Sequence, residues 1–145
     1  MARSYVLNFV HCVFATKGRA QLIRNPQPLW AYMRGIARNC KFDVLAVGGT
    51  ENHIHVLLSL PPGRNLVDII RDVKANSSRF MKTDVPGFAW QDGYSALSVS
   101  PSQIEVVKIY IAQQAKHHRE RTFDEEYLAL LEKAGVKYER DFVLG

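Results

Sequence analysis

The chain has 145 residues, 47% of them hydrophobic and 23% charged, which excludes a disordered chain and is enough to bury a substantial core. Its 19 Lys and Arg against 14 Asp and Glu give a formal charge of +5, compatible with a polyanionic partner without establishing one. No apolar run approaches the roughly 18 residues needed to cross a bilayer, the N-terminal stretch lacks the apolar segment of a secretion signal, and Cys12 and Cys40 have no metal or redox spacing. These features predict a single domain over residues 1–145, cytoplasmic, with reduced cysteines and no membrane partner.

Ser4 to Thr16 is rich in Val, Phe and Leu without a helical stripe and predicts a long strand with His11 near its middle. A loop follows to Pro28, and Leu29, Met33, Ile36, Ala37 and Cys40 then fall at helical spacing. Phe42 to Val47 predicts a second strand, Gly48-Gly49 a turn, and His53 to Leu60 a third strand that Pro61-Pro62-Gly63 stops. Asn65 is placed to cap a helix whose apolar stripe is Leu66, Ile69, Ile70, Val73, Ser77, Phe80 and Met81. Beyond a turn at Pro86-Gly87, Tyr94 to Val99 predicts a fourth strand. Ser100, Pro101 and Gln103 supply an N-cap, an N1 proline and a capping-box glutamine for a helix running to about His118. Thr122 and Glu125 cap a last short helix that Gly135 ends, and the tail to Gly145 reads as a strand or extended arm. The order βαββαβα predicts an α+β protein with a ferredoxin-like (RRM-like) antiparallel sheet and helices on one face. That architecture hosts many unrelated activities.

Two groups of residues bear on chemistry. His53 and His55, at i and i+2 on a strand, leave the same face of the sheet and are able to reach one metal ion, although such pairs also occur as plain hydrogen-bonding rings. Tyr110 and Gln114, one helical turn apart, present a phenol and an amide together; His117 shares their face while Ile104, Ile111 and Ala115 occupy another. Taken alone, that spacing equally describes an amphipathic helix. Arg71, Lys74, Ser78 and Lys82 form a polar, basic ridge opposite the apolar stripe of their helix, and Lys17, Arg19 and Arg24 add positive charge in the first loop. Trp90 and Tyr94 are candidates for stacking on unpaired bases.

The stretches His11 to Lys17 (HCVFATK), Glu51 to Ser59 (ENHIHVLLS), Trp90 to Ser100 (WQDGYSALSVS) and Tyr110 to Gln114 (YIAQQ), with His117-His118 beyond, resemble the single-tyrosine HUH transposases of the smallest bacterial insertion sequences. They are also similar to the domesticated relatives associated with repetitive palindromes. The resemblance implies the HUH nuclease fold, with His53, His55 and Gln114 binding a divalent metal, Mg²⁺ or Mn²⁺, and Tyr110 acting as nucleophile on single-stranded DNA near hairpin ends. It further implies a homodimer in which the tyrosine helix of one subunit completes the site of the other. Two positions depart from the common pattern: Asn52 stands where many relatives carry aspartate, and Leu97 where an aromatic is frequent. Neither is a metal ligand, and Asn52 bears on how His53 is oriented. Lys17, Arg19, Arg71, Lys74 and Lys82 are the candidate DNA contacts. Three other readings stay open: a domesticated enzyme with the same chemistry on chromosomal hairpins, a non-catalytic nucleic-acid-binding module, and a metal-carrying protein.

Overall fold

The computed structural model describes residues 3–118 and 120–144. Four strands, β1 (Phe9–Ala15), β2 (Asp43–Thr50), β3 (His53–Ser59) and β4 (Ser95–Val99), form one antiparallel sheet in the order β2-β3-β1-β4. This is the strand order of a split βαβ fold, as the element order predicts. The central strands β1 and β3 are buried on both faces, which explains why their sequences run nearly continuously apolar rather than alternating.

Alternation decides what each face carries. Cys12, Phe14, Ile54, Val56 and Leu58 point to the side covered by α1 (Pro26–Cys40) and α2 (Leu66–Lys82), where they join Leu29, Met33, Ile36, Ile69 and Val73 in the main core. Each fully buried large side chain there contributes about 1.5–3 kcal/mol. Asn65 caps α2 by accepting from the Asp68 amide, and Ser77 interrupts the apolar stripe because its hydroxyl receives the Trp90 indole N–H at 2.9 Å. Trp90 therefore belongs to the core, 8% exposed, and offers no free ring for stacking.

The expectation of helices on one face alone does not hold, because the opposite face is covered too. It takes α3 (Ile104–Ala112), α4 (Gln114–His117) and α5 (Phe123–Lys133), with Phe123, Tyr127 and Leu131 of α5 packing on Val13 and Ala15 in a second, smaller core. The capping box between Thr122 and Glu125 starts α5, and Gly135 follows its end at φ 74°.

Four further expectations change. The first strand begins at Phe9 rather than Ser4, leaving Tyr5 and Leu7 exposed. Gly48-Gly49 lies inside β2, and the turn to β3 falls at Glu51-Asn52. The glycine is needed because α3 crosses the strand there: a Cβ on Gly48 would stand 2.4 Å from the Ile111 carbonyl oxygen. The helix expected to run to His118 opens with a 3₁₀ turn at Pro101–Gln103 and is interrupted at Gln113, whose φ of −99° and ψ of 19° leave the helical region. The tail forms a short helix, α6 (Arg140–Leu144), instead of a strand or arm; Gly145 lies outside the described residues.

Candidate active site

His53 and His55 leave β3 on the face covered by α3 and α5, and both are fully buried with ring centroids 5.1 Å apart. Each ring is held from behind. His53 Nδ1 lies 2.9 Å from Asn52 Oδ1 and 3.0 Å from Thr50 Oγ1, while Phe123 stacks on the ring at 4.2 Å. His55 Nδ1 lies 2.8 Å from His11 Nε2, on the neighbouring strand. Both Nε2 atoms are thereby turned toward a common centre, the arrangement that metal-binding imidazoles adopt when an outer partner fixes the ring. Asn52 thus makes the contact that orients His53, although it is not the common aspartate.

Gln114 reaches that centre from α4, with Oε1 2.9 Å from His53 Nε2 and the residue 1% exposed. Its amide orientation is fixed because the NH₂ group faces the Glu126 carboxylate at 3.2 Å, which only accepts hydrogen bonds. Glu126 comes from α5 and is fully buried. Its Oε1 lies 3.2 Å from His55 Nε2 and 2.9 Å from His118 Nε2, and its Oε2 accepts the Tyr110 hydroxyl. Tyr110 is half-buried at the edge of the cluster, 5.6 Å from the His55 ring and 5.0 Å from that of His117. It also borders a largely apolar cleft of about 360 Å³ that runs between β4 and α3 to Lys133.

Burial pushes the His11 and His53 imidazoles down to about 3, with the neighbouring His55 ring lowering each further, and burial depresses His55 as well. All three rings are neutral at physiological pH, the form in which an imidazole offers a lone pair to a metal. Burial raises the Tyr110 phenol, and its hydrogen bond to Glu126 raises it further. Burial also works against the Glu126 carboxylate, but the hydrogen bonds from His55 and Tyr110 outweigh it and hold the group below the usual carboxylate range. His53 Nε2 and Gln114 Oε1 stand 2.9 Å apart, close enough to share one proton or to bind one cation side by side. Ligand atoms of His53, His55 and Glu126 lie within 4.8 Å of one another, so these buried groups could hold a divalent metal.

A single chain therefore brings together His53, His55, Gln114 and Tyr110, the four residues singled out in the sequence; in this structure the tyrosine helix meets the histidines of its own chain, where the resemblance implies those of a partner. The basic residues divide. Arg19 is spent inside the molecule: it pairs with Asp124 at 2.8 Å, donates to Gln91 Oε1 and the Val143 carbonyl, and clamps α5 and α6 to the end of β1. Lys74 donates to the Gln91 and Gly93 carbonyls, and burial lowers its pKa. Lys17, Arg71 and Lys82 stay exposed, Arg71 pairing with Asp68. Glu126, His11 and His118 received no role from the sequence. A signal for Glu126 did exist, since it shares the inward face of its helix with Phe123 and Tyr127, where a carboxylate is out of place unless engaged.

An antiparallel sheet carrying a paired-histidine centre with a tyrosine at its rim is able to place a hydroxyl nucleophile beside a bound cation. Residues 4–114 match the family described as transposase, IS200-like, and the chain belongs to that family of DNA-processing enzymes. Among curated proteins it is similar to the ISDra2 transposase TnpA of Deinococcus radiodurans, 27% identical over 123 residues that cover 77% of this chain and 88% of the relative. Among solved structures it is similar to a transposase of Deinococcus radiodurans R1, with a TM-score of 0.63 and 26% identity over 79% of this chain and 96% of that one. The fold is also that of a REP-associated tyrosine transposase bound to a REP hairpin, with a TM-score of 0.62 and 18% identity over 81% of this chain and 73% of that one. Among the described residues no helix is long and apolar enough to cross a membrane.

Proposed function

We propose that the chain cuts and rejoins single-stranded DNA through a 5′-phosphotyrosine intermediate, with Tyr110 as nucleophile at a divalent metal, Mg²⁺ or Mn²⁺, held by His53, His55 and Gln114. The observation that carries this reading is the convergence, within one chain, of Tyr110 and Gln114 from the broken α3–α4 helix on the two Nε2 atoms of β3. The donor separations support the metal: ligands at about 2.1 Å in an octahedral set lie about 3 Å apart, and His53 Nε2 stands 2.9 Å from Gln114 Oε1. When bound, the ion supplies Lewis-acid polarisation of the scissile phosphate and offsets its charge.

The protein's own groups do the rest. Tyr110 Oη forms a bond to phosphorus while the bond from phosphorus to the 3′ oxygen breaks; the phenol loses a proton and the departing 3′ oxygen gains one. The phosphotyrosine conserves the ester bond, so attack by another 3′ hydroxyl rejoins strands without an external energy source. Burial of the histidines excludes water from one side of the centre, and the cleft beside Tyr110 leaves the other open to a strand. Lys17, Arg71 and Lys82, exposed on the surface, fit contacts to phosphates.

A hairpin-bearing single strand is the substrate class in this reading, supported by the hairpin bound to the structurally similar transposase. Assembly as a homodimer belongs to it too, supported by the exposed Val106 and Ile109 on α3, 59% and 58% accessible. The test is strand transfer. With Mn²⁺ and two differently labelled hairpin oligonucleotides, a transferase yields a recombinant strand of combined length without ATP. Cleavage products alone, never joined, would leave a nuclease and contradict the proposal.

A further inference from the structure

Glu126 lies outside the 4–114 stretch that the family shares, and yet it is the group that touches most of the site. Its carboxylate is fully buried on the inward face of α5, among Phe123, Tyr127 and Leu131, where an ionised group is costly unless every lone pair is engaged. All of its neighbours are accounted for. Oε1 meets His55 Nε2 at 3.2 Å and His118 Nε2 at 2.9 Å, with His53 Nε2 at 3.8 Å; Oε2 receives the Tyr110 hydroxyl and the Gln114 amide at 3.2 Å. Two of these contacts, to His53 and His55, are the ring nitrogens turned toward the common centre, and the ligand atoms of all three residues lie within 4.8 Å of one another. A carboxylate oxygen set against two imidazole nitrogens, with the Gln114 NH₂ group on the other oxygen, is the anionic member of a divalent-metal ligand set.

We propose that Glu126 is an additional ligand of the metal centre through Oε1 and, through Oε2, the positioning residue that holds the Tyr110 phenol beside that centre. This rests on the assignment of Tyr110 and the metal above, and adds that α5 is part of the active site. One carboxylate spans both components, so loading the metal and placing the nucleophile are coupled. Arg19 extends the coupling: by pairing with Asp124 it fixes the start of the helix that carries Glu126.

The experiment uses the full chain without DNA first. Mn²⁺ binding is followed by electron paramagnetic resonance and calorimetry for the wild type, Glu126→Gln, Glu126→Asp and His55→Ala, with thermal melts in chelator to verify folding. We expect Glu126→Gln, which keeps the volume and removes the charge, to weaken Mn²⁺ binding by about 10–100-fold and to alter the Mn²⁺ spectrum, with Glu126→Asp recovering part of the affinity. With hairpin DNA, the same Gln variant lowers kcat for adduct formation while KM stays near the wild-type value. Wild-type Mn²⁺ affinity in Glu126→Gln, alongside loss in His55→Ala, would overturn the proposal and leave the metal reading intact. Faster adduct formation by Glu126→Gln would overturn it as well, by showing that the carboxylate only fills the place of the phosphate. Absence of Mn²⁺ binding in the wild type would instead remove the metal reading on which the proposal stands.

Discussion

His11 and His55 face each other across β1 and β3 with ring nitrogens 2.8 Å apart, so the ring proposed to bind metal is aimed by a second histidine rather than by a carboxylate. Removing an outer partner of this kind weakens metal binding by about 10–100-fold. His11→Ala is expected to lose Mn²⁺ affinity in that range, and His11→Gln, which preserves a polar atom, to lose less. Titration calorimetry of the two variants measures the difference; equal affinity in both and in the wild type would show that His55 needs no aiming.

Gly48 and Ile111 define how closely α3 approaches the sheet. With a Cβ at Gly48 placed 2.4 Å from the Ile111 carbonyl oxygen and 3.0 Å from its Cγ2, Gly48→Ala must displace the helix that carries Tyr110. Overpacking of this kind costs about 1–3 kcal/mol. A lowered Tm together with a fall in adduct formation larger than the loss of folded protein is the expected result, read by calorimetry and gel assay. Gly35→Ala, where a Cβ meets nothing nearer than the Arg38 guanidinium at 4.0 Å, serves as the control.

Acid should destabilise the metal-free protein. His11 and His53 have folded values pushed from 6.5 down to about 3, and His55 is lowered too, so below pH 6.5 the unfolded chain takes up protons that the folded one refuses. Stability is complete above about 6.5 and is lost progressively as pH falls toward 3. Glu126, held below the usual carboxylate range, acts in the same direction once pH drops below about 4.5. Melting curves from pH 7.5 to 4 in chelator should show a falling Tm, with a shallower slope in His11→Gln. A Tm independent of pH across that interval would contradict the neutral buried rings.

Arg19 and Lys82 separate structural from DNA-facing charge. Arg19→Ala releases α5 from its clamp and is expected to lower Tm with little change in the salt dependence of DNA binding. Lys82→Ala, at an exposed position, should leave Tm unchanged and reduce the salt slope by about one phosphate contact. The reverse pattern would exchange their roles.

Much of this arrangement is legible in the chain because local rules and tertiary structure agree. The α2 stripe, the Asn65 cap and the Thr122–Glu125 capping box need only near neighbours, and alternation alone puts His53 and His55 on one face. What fails depends on distant contacts. Gly48-Gly49 carries a turn signature, yet stays in β2 because a helix more than sixty residues later needs the space. The break at Gln113 follows no helix-breaking residue; the chain bends where Gln114 turns into the buried cluster. Glu126 escapes a motif reading since its partners lie on β3, α3 and α4, and only its place beside Phe123 and Tyr127 marks it as buried. Arg19 and Lys74 look like DNA contacts by charge alone and are revealed as clamps only by the carbonyls and carboxylate they reach.

The most direct measurement of the central claim is the chemical identity of the protein–DNA bond. Full-length protein is incubated with Mn²⁺ and a 5′-labelled and 3′-labelled pair of hairpin-bearing single strands, denatured, digested and sequenced by mass spectrometry. The expected result is a phosphonucleotide on the Tyr110 peptide, carried by the fragment 3′ of the cut, absent from Tyr110→Phe and from His53→Ala. A bond to any other residue, or cleavage that persists undiminished in Tyr110→Phe, would contradict Tyr110 as the nucleophile.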